Sequence, residues 1–314
     1  MKQTAAITVR DLIKSFKENN VLKGVNFTVQ EGSTFALLGS NGAGKTTILK
    51  ILATLMLPDE GRAEIFGYDV VKQASQVRTR ISYTGQNAAV DEILSGRENL
   101  RIIGALRHMP DKKARADNLL ELFRLTDAAN KPVARYSGGM RRRLDIAMSM
   151  MSKAPVVFMD EPTTGLDPQN RLVMWDIIKS MAKNGTTVFL TTQYLDEAEH
   201  LADYIAILHE GVIIAYGTVD ELKQKLPQGL IQFKFRNEKD MKKAMELLDG
   251  YSIYNGEEEY AITVQTDGGA KQFENVLCLL NQGGIKIMKF NPKQPTLEDA
   301  FLVLIGEKED IYRD

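Results

Sequence analysis

The sequence predicts an α/β chain in two parts: a mixed, mainly parallel sheet core with a helical insertion and an N-terminal antiparallel β part, then a small α+β domain of ferredoxin-like type. Three observations carry this. The apolar run Thr34-Phe35-Ala36-Leu37-Leu38 reads as a strand buried on both faces and passes through glycines into a helical pattern. Strand and helix patterns alternate again from Val156 to Leu208. Beyond Leu226-Pro227-Gln228-Gly229 the segments shorten and read β-α-β-α-β, which sets the expected domains at 1–225 and 226–314.

The elements follow in order. Residues 6–10 and 25–29 alternate as strands on either side of the turn residues Glu18-Asn19-Asn20. After the buried run at 34–38, residues 46–55 have helical spacing. Residues from about 88 to 150 form the helical insertion, with apolar positions at helical spacing in 118–125. Strands are then expected at 156–159, 187–190 and 205–208, with helices near 171–183 and 195–201 between them. In the second part, strands at 231–235, 260–265 and 285–290 enclose helices at 240–248 and 269–282, with a further strand near 251–254.

Composition narrows the partners. Forty basic against 41 acidic residues give a formal charge of -1, which lacks the footprint of a polyanion binder, so no nucleic-acid partner is expected. The single cysteine, Cys278, excludes an intramolecular disulfide, fits a reducing cytosol and is expected to be a small buried filler. No stretch approaches the ~20 consecutive apolar residues that cross a bilayer, and the first four residues lack the apolar region of a secretory signal. Any membrane role is expected to come through another polypeptide.

Three motifs carry chemistry. Gly39-Ser40-Asn41-Gly42-Ala43-Gly44-Lys45-Thr46-Thr47 matches the phosphate-loop pattern between a strand and a helix. Small residues there let backbone N–H groups face phosphates, Lys45 reaches the β and γ oxygens, and the Thr46 hydroxyl ligates magnesium. At the end of Val156-Val157-Phe158-Met159-Asp160-Glu161, Asp160 is placed to hold the magnesium shell and Glu161 to act as general base on a water. Between them lies Tyr136-Ser137-Gly138-Gly139-Met140, where Ser137 offers a helix N-cap and Gly138 and Gly139 allow close approach of backbone N–H groups to an anion. Alone, a Ser-Gly-Gly is more often a turn.

In this order the three resemble the ATP-binding cassette (ABC) family, across residues 1 to about 225. The resemblance implies a P-loop NTPase cassette with a RecA-like core, ATP and Mg2+ as ligands, and a second copy whose Ser137, Gly138 and Gly139 close over the nucleotide. It also implies that Asp167, in Pro162-Thr163-Thr164-Gly165-Leu166-Asp167-Pro168, lies at the dimer interface. Gln86 matches the family's glutamine that touches magnesium or the lytic water, although a lone Gln is usually a surface side chain. Phe16 occupies the place of the aromatic that stacks on adenine; the plainer reading of a Phe in a strand-turn region is a core residue. The departure is Gln193, where most members have His: it can donate to a phosphate but cannot titrate near neutral pH, which leaves hydrolysis positional and carboxylate-assisted.

A narrower likeness lies in Thr191-Thr192-Gln193-Tyr194-Leu195-Asp196-Glu197-Ala198 and Pro295-Thr296-Leu297-Glu298-Asp299-Ala300-Phe301-Leu302, which look like the daunorubicin-resistance type of drug-export ATPase. It implies a homodimeric ATPase docked on a separate integral-membrane permease, at the inner face of the cell membrane, with transport directed outward. Two other readings stay open: a soluble cassette protein acting on ribosomes or DNA, and a regulatory cassette with negligible turnover, which Gln193 keeps open. The C-terminal domain is expected to stabilise the dimer or cover the nucleotide subunit rather than sense a ligand, and the tail at 300–305 to complete its small core rather than form an amphipathic docking helix.

Overall fold

The structure, a computed structural model, describes residues 4–86, 89–224, 229–255, 258–293, 296–297 and 301. The chain divides into two compact units, Met1–Thr218 and Val219–Asp314.

In the first unit, β1 (Ala5–Phe16) and β2 (Asn19–Gln30) form a hairpin, and β3 (Thr34–Leu38) leads into α1 (Lys45–Leu52). β4 (Glu60–Ile65) and β5 (Tyr68–Asp69) extend the hairpin into an antiparallel sheet of order β2-β1-β4-β5. The short α2 (Ala74–Arg78) precedes β6 (Ile81–Thr84), and α3 (Gly96–Leu106), α4 (Lys112–Leu122) and α5 (Gly138–Ser149) make up the helical insertion. The chain then alternates through β7 (Val156–Asp160), α6 (Pro168–Lys183), β8 (Thr187–Thr192), α7 (Leu195–Leu201) and β9 (Tyr204–His209), and ends on β10 (Val212–Gly217).

The central sheet has the order β10-β9-β3-β8-β7-β6 and is parallel except for β10. β3, β7 and β8 are buried along their whole length, as the apolar runs at 35–38, 156–159 and 188–190 within them require. Phe35 stacks on Phe189 with ring centroids 4.9 Å apart and on Phe27 of β2 at 5.2 Å, while Phe158 meets Phe189 edge-on at 5.7 Å. Together with Ile48, Leu49, Ile51 and Leu52 of α1 they form one core that joins the two sheets. That core fixes both ends of the glycine-rich loop, since β3 enters it and α1 leaves it. Phe189→Ala is expected to destabilise the chain by about 3–5 kcal/mol, read as a shift in denaturant midpoint.

In the second unit, a short α8 (Val219–Lys223) precedes β11 (Leu230–Phe235), α9 (Glu238–Leu247), β12 (Ile253–Asn255), β13 (Ala261–Gln265), α10 (Ala270–Gln282) and β14 (Ile287–Lys293). The sheet order is β12-β13-β11-β14 with every pair antiparallel, which is the ferredoxin-like arrangement. Phe233, Phe235, Ile262 and Val264 pack against Ala244, Val276 and Leu280 of the two helices and against Leu248, which caps the end of α9. One expectation is corrected here. Cys278 is exposed, because α10 buries the stripe through Val276 and Leu280 and a residue two positions past Val276 points about 200° around the helix. Residues 226–228, most of the 295–302 segment and most of the 300–305 tail lie outside the described residues.

Candidate active site

The glycine-rich loop, the acidic strand end and the end of β8 meet at the carboxyl edge of the parallel strands, where open α/β sheets hold ligands. Gly44 caps α1 with φ 110, no side-chain cap and no acid in the first turn, so the first N–H groups of the helix face outward to an anion. A Cβ on Gly44 would lie 2.7 Å from Leu22 Cδ2 and 3.2 Å from the Val21 carbonyl, because β2 presses on the loop from behind. Lys45 is 5% exposed, and its Nζ donates to the carbonyls of Gly39 and Ser40 at 2.7 and 2.9 Å. The same nitrogen stands 3.7 Å from Glu161 Oε1. Burial pulls the ammonium's pKa down, and Glu161 and Asp160 oppose that pull.

Asp160 is 1% exposed. Its Oδ1 accepts from Thr191 Oγ1 at 2.6 Å and from Thr46 Oγ1 at 3.3 Å, while its Oδ2 is buried with no hydrogen-bond partner among the described residues. An orphaned buried carboxylate oxygen is costly, and here a hydroxyl stands beside it. One carboxylate and one hydroxyl suit magnesium, which takes one or two carboxylates and completes its shell with phosphates and water. Glu161 adopts φ 48, a strained conformation of the kind that clusters at active sites. Two bonds hold it there: its N–H donates to the Thr191 carbonyl at 3.2 Å and to Thr191 Oγ1 at 3.1 Å. Glu161 Oε2 accepts from Thr164 Oγ1 at 3.1 Å.

Two cavities share this edge. The glycine-rich loop lines one of 280 Å³ with Val21, Gln86 and Glu161. Beside it a cleft of 700 Å³ is lined by Asn41, Gln86, Gly138, Glu161, Thr164 and Gln193 among others. Asn41, Gln86 and Glu161 border both. Gln86 is exposed and Gln193 half-buried.

The Ser-Gly-Gly segment sits apart from the loop. Ser137 caps α5, its Oγ accepting from the Met140 N–H at 3.2 Å, and Ser137 and Gly138 are exposed. Of the three, only Gly138 borders the cleft, and none lines the loop's own cavity. Gly139 is buried, and a Cβ there would come within 2.6 Å of Asn170 Cγ. Asp167 is exposed and caps α6, accepting from the Asn170 N–H at 2.9 Å and from its Nδ2 at 2.6 Å. Phe16, at the exposed end of β1, is 44% exposed and lines neither cavity. Its ring has Lys14 Nζ 5.6 Å from the centroid, so the plainer core reading does not apply.

Sequence reasoning missed Val21, Thr164 and Thr191 as parts of the site. Val21 has no local signal, since only the fold of the hairpin brings it to Gly44. Thr191 was visible at the end of an apolar run that parallels Asp160, and the register Asp160↔Thr191 explains its bond to that carboxylate.

Behind the cleft lies a buried acid. Glu197 accepts from Thr163 Oγ1 at 2.7 Å and Trp175 Nε1 at 3.3 Å, tying α7 to the loop that follows Glu161. Burial pushes its carboxyl pKa up. A raised folded-state pKa gives stability that is fully present below the unfolded value and is lost as pH rises through the folded one. Glu197→Gln keeps an acceptor for both donors and is expected to melt at least as high as wild type at about pH 8, with a flatter pH profile of melting temperature.

An ABC transporter family model matches residues 22–164. The chain is 42% identical over 304 residues to the daunorubicin resistance ATP-binding protein DrrA3 of Streptomyces coeruleorubidus, covering 96% of each. The chain belongs to the ABC transporter family. Within that family it is an ATP-binding subunit, and it is an ATPase. The daunorubicin/doxorubicin resistance ATP-binding protein DrrA of Streptomyces peucetius is 41% identical over 312 residues, covering 98% of this chain and 94% of that one. A solved ATP-binding subunit of an ABC transporter is 31% identical and superposes with a TM-score of 0.63 over 70% of this chain and 92% of its own. Among the described residues no helix is long and apolar enough to cross a membrane.

Proposed function

We propose that this ABC subunit works as a head-to-tail homodimer that drives a separate integral-membrane permease, at the inner face of the cell membrane, to export drugs or other hydrophobic compounds. The observation that carries the reading is the likeness to the two Streptomyces resistance proteins over nearly the whole chain, second unit included. The exposed Ser137 and Gly138, set outside the phosphate cavity of their own chain, support their use by a second copy.

In this reading the open N–H groups of α1 and the Lys45 ammonium bind the phosphates of ATP. Phe16 stacks on its adenine, Asp167 lies at the dimer interface, and Ser137, Gly138 and Gly139 of the partner copy close the site. Thr46, Asp160 and Gln86 would hold Mg2+, which neutralises phosphate charge when bound. Glu161, held by its backbone bonds to Thr191, orients a water and takes its proton. Gln193 donates to the γ-phosphate without carrying a proton.

Cells expressing the chain with its permease should accumulate less fluorescent doxorubicin than cells carrying Glu161→Gln at equal abundance. Equal accumulation in the two, with ATPase activity intact in the purified wild-type chain, would remove drug export and leave the ATPase.

A further inference from the structure

Three consecutive arginines, Arg141, Arg142 and Arg143, follow the Ser-Gly-Gly segment, and only Arg142 is buried, at 7% exposure. Its guanidinium is turned inward onto the backbone of two loops. Nη1 donates to the Gly85 carbonyl at 2.5 Å and stands 3.5 Å from that of Gln86. Nη2 donates to the carbonyls of Asp160 at 2.8 Å and Glu161 at 3.3 Å, and Nε to that of Pro162 at 3.2 Å. Asp145, one turn along α5 and 6% exposed, faces the same guanidinium at 3.4 Å and accepts from the Ala89 N–H at 2.9 Å. The pair therefore grips Gly85, Gln86 and Ala89 on one side and residues 160–162 on the other, from a helix capped by Ser137.

A buried Arg normally pairs with carboxylates or phosphate; here most of its donors go to main-chain oxygens, so its geometry specifies where two backbones lie. Those backbones carry Gln86 and Glu161, the two side chains that border both cavities with Asn41. We propose that Arg142, oriented by Asp145, is a positioning residue that sets Gln86 against Glu161 and ties both to the helix of the Ser-Gly-Gly segment. This rests on the reading above that Gln86 and Glu161 serve hydrolysis. Arg142 borders the cleft of 700 Å³ as well, and its hydrogen bonds to residues 85–86 and 160–162 go to main-chain carbonyls, so it acts on Gln86 and Glu161 through their backbones.

A lysine keeps the charge at this position but cannot fork to two strands of carbonyls. The test measures steady-state Mg-ATP turnover, fluorescent-nucleotide affinity and melting of the full chain for Arg142→Lys, Asp145→Asn, Gln86→Ala and the double variant Arg142→Lys with Gln86→Ala. Displacement of reacting groups by about 1 Å lowers rate by up to roughly 100-fold, so Arg142→Lys is expected to lose about 10-fold or more in kcat with nucleotide affinity within about two-fold. In the Gln86→Ala background the same change should cost under about three-fold, because residues acting through one another are non-additive. Arg142→Lys with wild-type kcat, or with the same fold-loss in both backgrounds, overturns the proposal. Should Arg142→Lys melt without cooperativity, Asp145→Asn decides: lowered kcat at unchanged affinity supports the proposal, and unchanged kcat overturns it. Wild-type kcat in Gln86→Ala would overturn the underlying site reading together with the proposal, whereas an impaired Gln86→Ala beside an unimpaired Arg142→Lys overturns the proposal alone.

Discussion

Glu161→Gln is expected to lower the turnover of Mg-ATP by roughly 10²–10⁴-fold, the range ascribed to a general acid–base group, while binding nucleotide as wild type does. Glutamine keeps the volume of the side chain and still accepts from Thr164 Oγ1, which reaches Oε2 at 3.1 Å. The backbone bonds from Glu161 to Thr191 are untouched, so the strained turn keeps its shape. What is lost is the carboxylate that faces Lys45 Nζ at 3.7 Å and that the proposed mechanism uses to take a proton. Phosphate release and fluorescent-nucleotide titration on one preparation separate the two effects. Loss of both together would assign Glu161 to folding rather than to chemistry.

Lys45→Ala should be as severe and should act differently. The substitution removes the cation that the loop holds with two carbonyl bonds, and leaves Asp160 and Glu161 beside the phosphate cavity with no positive charge from that position. The charge facing an incoming triphosphate at short range then becomes more negative, with two carboxylates and no ammonium between them and the phosphates. Removal of one preorganised charge or donor of this kind costs roughly 10²–10³-fold, and here it should appear in kcat/KM through weakened nucleotide binding. Because the lysine is buried with a pKa pulled down by desolvation, its removal should not unfold the chain; melting temperature in the absence of nucleotide checks this.

The parts that were legible in the sequence are those whose chemistry is local. The phosphate loop declares itself because glycines, a lysine and a threonine must stand at fixed offsets between a strand and a helix. β3, β7 and β8 are legible because burial on both faces leaves apolar runs at 35–38, 156–159 and 188–190. β4 was not. Its sequence is Glu60-Gly61-Arg62-Ala63-Glu64-Ile65, and only pairing with β1 makes it a strand. β10, at the antiparallel edge of the parallel sheet, likewise takes its form from β9. Cys278 shows the limit of residue-type reasoning: cysteine is among the most buried residues, yet the phase of α10 places this one outside. Arg142 shows the same limit in reverse. Nothing in Arg141-Arg142-Arg143 marks the middle residue, and only the loops at 85–86 and 160–162, distant in sequence, make it a buried donor.

The second unit has a core of its own. The resistance proteins of the two Streptomyces species match over its length as well, which separates this chain from a bare cassette.

The central claim is that each ATPase site takes its phosphate loop from one copy and its Ser-Gly-Gly segment from another, and mixing two inactive variants tests it most directly. Lys45→Ala spoils the loop and leaves Ser137 intact; Ser137→Arg does the reverse, at an exposed position where the larger side chain is accommodated by the fold. In a head-to-tail dimer of one copy of each, one site carries both lesions and the other carries neither. Equal mixing should therefore restore roughly a quarter of wild-type turnover, half of the dimers having one of two sites intact. Turnover that stays at the level of the separate variants, with mixed dimers demonstrated by cross-linking, would contradict the shared site.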